Sequence, residues 1–504
     1  MSESARNDRV GVEAVWEPIP ARPQPRGPVR RATTRLAARL VADRRATEDA
    51  VVEAPAPVRP IDLADDARVT EVLELAEQVG EVALAAGTAV MDTSTRIEFI
   101  AATYGLARCD IDVTYNSIRI SADRGPALPP AGTMRVVRYR SLDFTRLAAV
   151  DRLTRRVRRE LVPVADARDT LDAIVTAPHP YSRWVAAGGW ALLAASIALL
   201  LGGDLVVAAV SFAGTTLIYR ANRVMNRRSL PFFFQNVIGG VIAAAPAVLL
   251  ATFAGRLDVN PSLIVAAGIT ALLSGAQLVG SVEDALTGAP ITAAARMLEV
   301  LMLTGGIIAG IALTLRVADM LHAVTPPIDM SPARDATDLP LEIAAGAIAA
   351  AAFALACYAE RQALAVAGLS GAAATVCCLL PLRIGFGPVV STGFAATVVG
   401  LAGGLMARRA LTPPLVVAMA GIVPLLPGLR VYRGLAALLN SDLLNGFSQL
   451  LSAFSVGCAL AAGVTLGEWC ARELRRPRIV QRFHGIRRPQ LIRRSGWPRR
   501  PHFR

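Results

Sequence analysis

Residues 422–435 read "IVPLLPGLRVYRGL", and this stretch decides how the chain is read. It starts as a membrane helix would, and then two prolines, a glycine and two arginines interrupt it. Backbone freed from its hydrogen bonds at membrane depth persists only where protein buries it or where it lines a watery cavity. A break here therefore points to a site inside a membrane protein. The plainer alternative is that Pro and Gly punctuate a helix end at the interface.

The surroundings favour a membrane region. The chain has 504 residues, 53% hydrophobic and 18% charged, with mean hydropathy +0.45. Residues 184–470 are mostly Ala, Leu, Val and Gly, and ten apolar segments stand out: 184–202, 204–220, 231–254, 262–281, 298–316, 341–358, 363–381, 386–406, 414–429 and 447–469. Each is near the ~20 residues that cross the hydrocarbon core. Arg155, Arg156, Arg158 and Arg159 precede the first segment, and Arg472, Arg475, Arg476 and Arg478 follow the last. Both ends therefore want the cytoplasm, which requires an even number of spans.

Outside the membrane region the composition changes. Residues 1–61 are rich in Arg and Pro and read as a disordered tail. Residues 62–180 read as a small cytoplasmic α+β domain, with helices over 67–87, 94–105 and 145–161. Strands are expected at 109–115, 117–123 and 133–139, the first two joined by a tight turn at Tyr115-Asn116. Residues 317–340 form a polar linker and 471–504 a basic tail. All 53 basic residues are arginine, and the formal charge of +13 comes largely from the two ends. Anionic lipid is the expected partner of such a tail, rather than nucleic acid. Six cysteines show neither metal spacing nor a disulfide framework. No metal or cofactor is expected. Residues 1–50 lack the apolar core of a cleavable signal. No GxxxxGK[ST] sequence is present, which argues against ATP-driven transport by this chain alone.

The ten spans divide into two fives, 184–316 and 341–470. "LTGAPITAAARMLEVLMLTGGIIAGI" (286–311) lies beside "LNSDLLNGFSQLLSAFSVGCALAAGV" (439–464), with Gly310 opposite Gly463. Just upstream, "LVGSVEDAL" (278–286) is laid against "LPGLRVYRGL" (426–435), with Gly280 opposite Gly428. A generic Ala/Gly/Leu likeness is the alternative. Five spans per half make the repeat inverted, an arrangement in which transporters place their sites on broken helices at the repeat interface. The expected fold is thus a polytopic α-helical membrane protein of about ten transmembrane helices in a 5+5 inverted repeat.

On this reading Pro424, Pro427 and Gly428 break the ninth span, and Gly275, Gln277 and Gly280 occupy the matching region of the fourth. Helix ends freed there can take the carboxylate and ammonium of an amino acid. Glu283, Asp284 and Glu299 are the carboxylates for proton coupling, since a charge at membrane depth is costly enough to need a function. The alternative for Glu299 is an interfacial salt bridge with Arg296. Gln235, Asn236 and Gln277 are either substrate donors or interhelical glue.

"GTAVMDTSTRIEFIAATYGL" (87–106) followed by "IDVTYNSIRIS" (111–121) resembles the amino-terminal domain of the bacterial threonine/serine exporter family. "VPLLPGLRVYRGL" (423–435) with "LLNG" (443–446) is similar to that family's Pro-Gly motif. The resemblance covers about residues 65–470. It implies export of L-threonine and L-serine across the bacterial cytoplasmic membrane, coupled to the proton motive force. Two departures stand out: the Arg-rich tails lie outside the resemblance, and the first half reads "AQLVGS" (276–281) where the second has its proline motif. A membrane-anchored hydrolase or a ligand sensor acting through 62–180 is the competing class. Ser94 and Thr95 would be the nucleophiles to test, but no GxSxG or partnered histidine accompanies them.

Overall fold

The structure is a computed structural model, and it describes residues 61–138, 142–160, 162–253, 261–272, 275–323, 339–406, 413–439 and 441–475. The expected disordered tail, most of the linker and most of the basic tail lie outside the described residues.

The chain first builds a layer of helices and a sheet: α1 (Asp66–Ala85), α2 (Val90–Thr103), β1 (Cys109–Val113), β2 (Ser117–Ala122), β3 (Ala131–Val136), α3 (Phe144–Glu160) and α4 (Val164–Thr176). Asp65 caps α1 by accepting from the Arg68 amide, as an N-cap aspartate does. The three strands pair antiparallel in the order β1-β2-β3. Thr114 N donates to Ser117 O at 2.8 Å, which closes a two-residue turn at Tyr115 and Asn116. Ile118, Ile120 and Ala122 alternate along β2 into a core shared with Leu73, Ile97, Leu153 and Leu171. The third strand lies two to three residues earlier than its hydropathy suggests. Helix α4 has no counterpart among the expected elements, because it buries only Ala167 and Leu171 and carries too short an apolar stripe to stand out.

The membrane region follows, among the described residues, as twelve helices: α5 (Arg183–Leu200), α6 (Leu205–Arg227), α7 (Phe232–Phe253), α8 (Pro261–Leu272), α9 (Gly275–Leu286), α10 (Pro290–Met320), α11 (Leu339–Ala356), α12 (Arg361–Arg383), α13 (Pro388–Met406), α14 (Pro414–Ile422), α15 (Gly428–Leu439) and α16 (Leu443–Arg475). Among the described residues, eight helices are long and apolar enough to cross a membrane. Large apolar side chains on them face outward, including Leu249, Leu298, Leu369 and Leu444.

Two expected spans look different. Segment 262–281 is two helices, α8 and α9, and segment 414–429 is α14, a 3-10 turn at Val423–Leu425, and the start of α15. None of the four helices alone reaches the ~20 residues a crossing needs. Helices α10 and α16, with 31 and 33 residues, outrun the apolar segments 298–316 and 447–469. Hydropathy reports only the stretch inside hydrocarbon, whereas the helix continues through polar residues, and α10 takes up the first residues assigned to the linker.

The order of elements occurs twice. Helices α5, α6 and α7 begin at 183, 205 and 232, and α11, α12 and α13 at 339, 361 and 388, a constant offset of 156. Helices α8, α9 and α10 begin at 261, 275 and 290, and α14, α15 and α16 at 414, 428 and 443, a constant offset of 153. This places Gly275, not Gly280, opposite Gly428, and corrects the upstream register by five residues. The first half has no proline to mark its break, so the neighbouring glycine served as a false landmark.

The same close crossing holds each half together. A Cβ on Gly310 of α10 would overlap the Val237 carbonyl of α7, and one on Gly463 of α16 would overlap the Gly393 carbonyl of α13. These contacts fall at matching positions of the two halves. Small residues at such crossings let backbones touch where no hydrophobic effect drives helices together.

Candidate functional site

Two cavities lie along the broken helices. The larger, about 680 Å³, is lined by Trp190, Thr215, Tyr219, Asn222, Phe232, Asn236, Leu272, Gln277, Glu299 and Leu303, with Tyr115, Asn116 and residues 136–138 of the sheet layer above it. The smaller, about 280 Å³, is lined by the break itself, Pro424 to Pro427, together with Thr375, Cys378, Pro388, Thr392, Arg430, Arg433 and Val456. Both volumes are of the order found for small-molecule sites, ~300–1,000 Å³.

The repeat offsets relate the two linings. Tyr219 corresponds to Thr375, Asn222 to Cys378, Phe232 to Pro388 and Asn236 to Thr392; Leu272 corresponds to Leu425, Gln277 to Arg430 and Leu303 to Val456. The cavities also sit at different depths. Trp190 on α5 borders the larger, whereas Ile197, Leu200 and Leu201 near the end of that helix border the smaller. Ten residues from Trp190 to Leu200 span about 15 Å of helix.

Their chemistry differs. In the larger cavity, Thr215 Oγ1, Asn222 Oδ1 and Gln277 Oε1 are buried and make no hydrogen bond among the described residues. Glu299 adds a carboxylate, whose Oε2 accepts from Tyr115 Oη at 2.8 Å. Buried polar atoms left without partners in a protein are rare and call for an explanation; here two amide oxygens and a hydroxyl lie on residues that line one cavity. In the smaller cavity the polar groups are chiefly donors: Nη1 of Arg430 is likewise buried without a hydrogen bond among the described residues, and Arg433 lies one helical turn on.

The remaining polar residues have structural partners. Asp284 and Arg296 are 0% and 4% exposed and pair at 2.8 Å. Asp284 Oδ1 accepts from the Val90 amide at 2.9 Å, and Arg296 Nη2 donates to Thr88 O at 3.4 Å. This cluster fastens α9 and α10 to the start of α2. Arg296 is thus paired with Asp284 and not with Glu299. Glu283 is 9% exposed beside it. Gly280 lies inside α9, where a Cβ would come within 3.0 Å of Arg296 Nη1, and Gly275 and Gly428 start α9 and α15. Gln235 donates to Asn226 Oδ1 and Leu230 O at 2.8 and 2.7 Å, bracing the α6–α7 turn. Asn236 lines the larger cavity. The Ser94 and Thr95 hydroxyls donate to Val90 O and Met91 O of their own helix.

Of the residues singled out in the sequence, Gln277 and Glu299 line one cavity and Pro424 and Pro427 the other, while Gly275, Gly280, Glu283, Asp284 and Gly428 line neither. Thr215 and Asn222 were missed, since a lone polar residue in an apolar helix looks the same whether it faces a cavity or a neighbouring helix.

Known proteins carry the same arrangement of sequence. Residues 74–318 match a family model described as threonine/serine exporter, and residues 342–470 a second described as "Threonine/Serine exporter, ThrE". A "Threonine/serine exporter" of Corynebacterium glutamicum is 41% identical over 426 residues, 84% of this chain and 87% of the relative. This chain belongs to the threonine/serine exporter family. A "Probable threonine/serine exporter" of Mycobacterium tuberculosis is 38% identical over 417 residues, 82% of this chain and 78% of that relative. Residues 319–341 lie between the two matches. No solved structure matches the chain.

Proposed function

We propose that this chain exports L-threonine and L-serine across the cytoplasmic membrane of a bacterium, exchanging them for protons. The observation that carries this reading is the pair of cavities lined at matched positions and set about 15 Å apart along α5. Eight long helices and two broken pairs would make ten crossings, so the second half enters the membrane from the opposite face. An inverted pair of halves of this kind can rock about a site between them, which gives alternating access. Both termini, and the α+β layer as a domain of residues 62–180, are then cytoplasmic. The curated relatives are named for threonine and serine, and the acceptors of the larger cavity suit an ammonium and a side-chain hydroxyl.

Among the three carboxylates, Glu299 reaches the larger cavity and is assigned the proton; Asp284 is committed to Arg296. Gly275 and Gly428 let the chain resume as a helix at each break. The hydroxyls of Ser94 and Thr95 are tied to their own helix, which favours a transporter over a hydrolase. The test is efflux from cells loaded with a threonine-containing dipeptide, with and without this protein. Faster efflux that collapses on adding a protonophore is the expected result. Equal efflux with and without the protein, for threonine and for serine, would overturn the reading.

A further inference from the structure

We infer that the smaller cavity is a carboxylate site, in which Arg430 holds the α-carboxylate of the transported amino acid and Arg433 supports it. The inference deepens the exporter reading and rests on it.

The comparison of the two cavities carries it. At seven matched lining positions the residues are neutral or apolar in both cavities, with one exception: Gln277 of the larger corresponds to Arg430 of the smaller. One turn further on, Gly280 corresponds to Arg433 at the same offset. At Glu299, the acid of the larger cavity, the second half has Ser452. The smaller cavity therefore carries two guanidinium groups where the matched positions of the larger carry an amide and a glycine, and that charge suits the anionic group of an amino acid.

Arg430 is the more informative of the two. No carboxylate lies within ion-pair distance of it among the described residues, and its Nη1 is buried without a hydrogen bond. A partly buried guanidinium with a donor left unmatched is costly, and its planar fork fits a carboxylate through two parallel hydrogen bonds. Pro424 and Pro427 create the opening into which it reaches, because the chain between them leaves α-helical geometry and α15 restarts only at Gly428. The break thus has a chemical purpose: it delivers the side chains of the first turns of α15 to the cavity wall.

The test is binding of radiolabelled L-serine to the purified full-length protein, competed by unlabelled L-serine or by L-serinamide, which keeps the ammonium and hydroxyl and lacks the carboxylate. In the unsubstituted protein serinamide should compete about tenfold worse or more, the scale of a charge-assisted pair. Arg430→Gln should weaken serine about tenfold and leave serinamide unchanged, with Arg430→Lys in between. Arg433→Gln should give a smaller loss of the same selectivity, and serves if Arg430→Gln yields no folded protein by size-exclusion chromatography. Equal weakening of serine and serinamide, or no change in either, would overturn the proposal. If the unsubstituted protein binds neither serine nor threonine, the exporter reading has failed. Acetate, pyruvate and glycolate in the same assay then decide the site: Arg430-dependent binding of any of them keeps it, and none removes it.

Discussion

The two breaks occupy equivalent positions and are built differently. In the second half, prolines at 424 and 427 force the chain out of the helix, because a proline removes an amide donor and clashes with the preceding turn. In the first half no proline stands between α8 and α9, and the far end of α9 is tied to α10 and to the start of α2 by the Asp284–Arg296 pair and its bonds to Val90 N and Thr88 O. The equivalents of Asp284 and Arg296 are Ala437 and Gln449, with no such pair. The equivalent helices are therefore held differently: α15 follows a proline break, and α9 is tied at its far end by a buried ion pair.

The largest effects should fall where the halves agree. Gly310→Leu and Gly463→Leu each drive a side chain into a facing carbonyl. Overpacking of this kind costs about 1–3 kcal/mol where the backbone can shift, and more where two helices must separate. Both variants should lose most folded protein by size-exclusion chromatography, to a similar degree. Tolerance of one and not the other would break the equivalence of the crossings. Next in size comes the proline break. Pro427→Ala combined with Gly428→Leu should leave insertion intact and reduce threonine efflux below about a tenth, equivalent to ~1.4 kcal/mol or more. Full efflux in that double variant would separate the break from transport.

How much of this was legible in the sequence follows the same division. The second break was readable because its cause is local: Pro and Gly announce themselves. The first was readable only by analogy, and the analogy slipped by five residues to Gly280, because no proline marks the junction of α8 and α9. The Tyr115-Asn116 turn was plain from its flanking alternation. That its tip would reach Glu299 was not, since nothing in a hairpin's sequence names what lies above it. The matched cavity linings were invisible for a related reason. Asn222 and Cys378, or Phe232 and Pro388, share no chemistry, and only the helix starts reveal that they are equivalent.

Arg296→Gln sharpens the contrast on the first half's side. Removing one partner of a buried ion pair costs about 3–5 kcal/mol, most of it from stranding Asp284. Hydrogen exchange should quicken in the first turn of α2 and along α9, with α15 unchanged; adding Asp284→Asn should restore part of the protection. Faster exchange at α15 as well would mean that the two breaks are coupled and the clamp is not confined to one half.

The smallest effect concerns the contact over the larger cavity. Tyr115 stands at the hairpin tip and donates to Glu299 at 2.8 Å, while the second half has Ser452 in place of Glu299. Glu299→Gln should flatten the pH dependence of efflux and slow it, if the proton is carried there. Tyr115→Phe keeps the ring and removes the hydroxyl, a loss of about 1 kcal/mol. With the hairpin less firmly held, the cavity mouth opens more often, and efflux should quicken, by about fivefold at most. Opposite signs for the two variants would show that the hairpin restrains access while the carboxylate does the work. The same sign would mean that the hydroxyl acts only through Glu299, and that the first half's cavity has no more of a lid than the second.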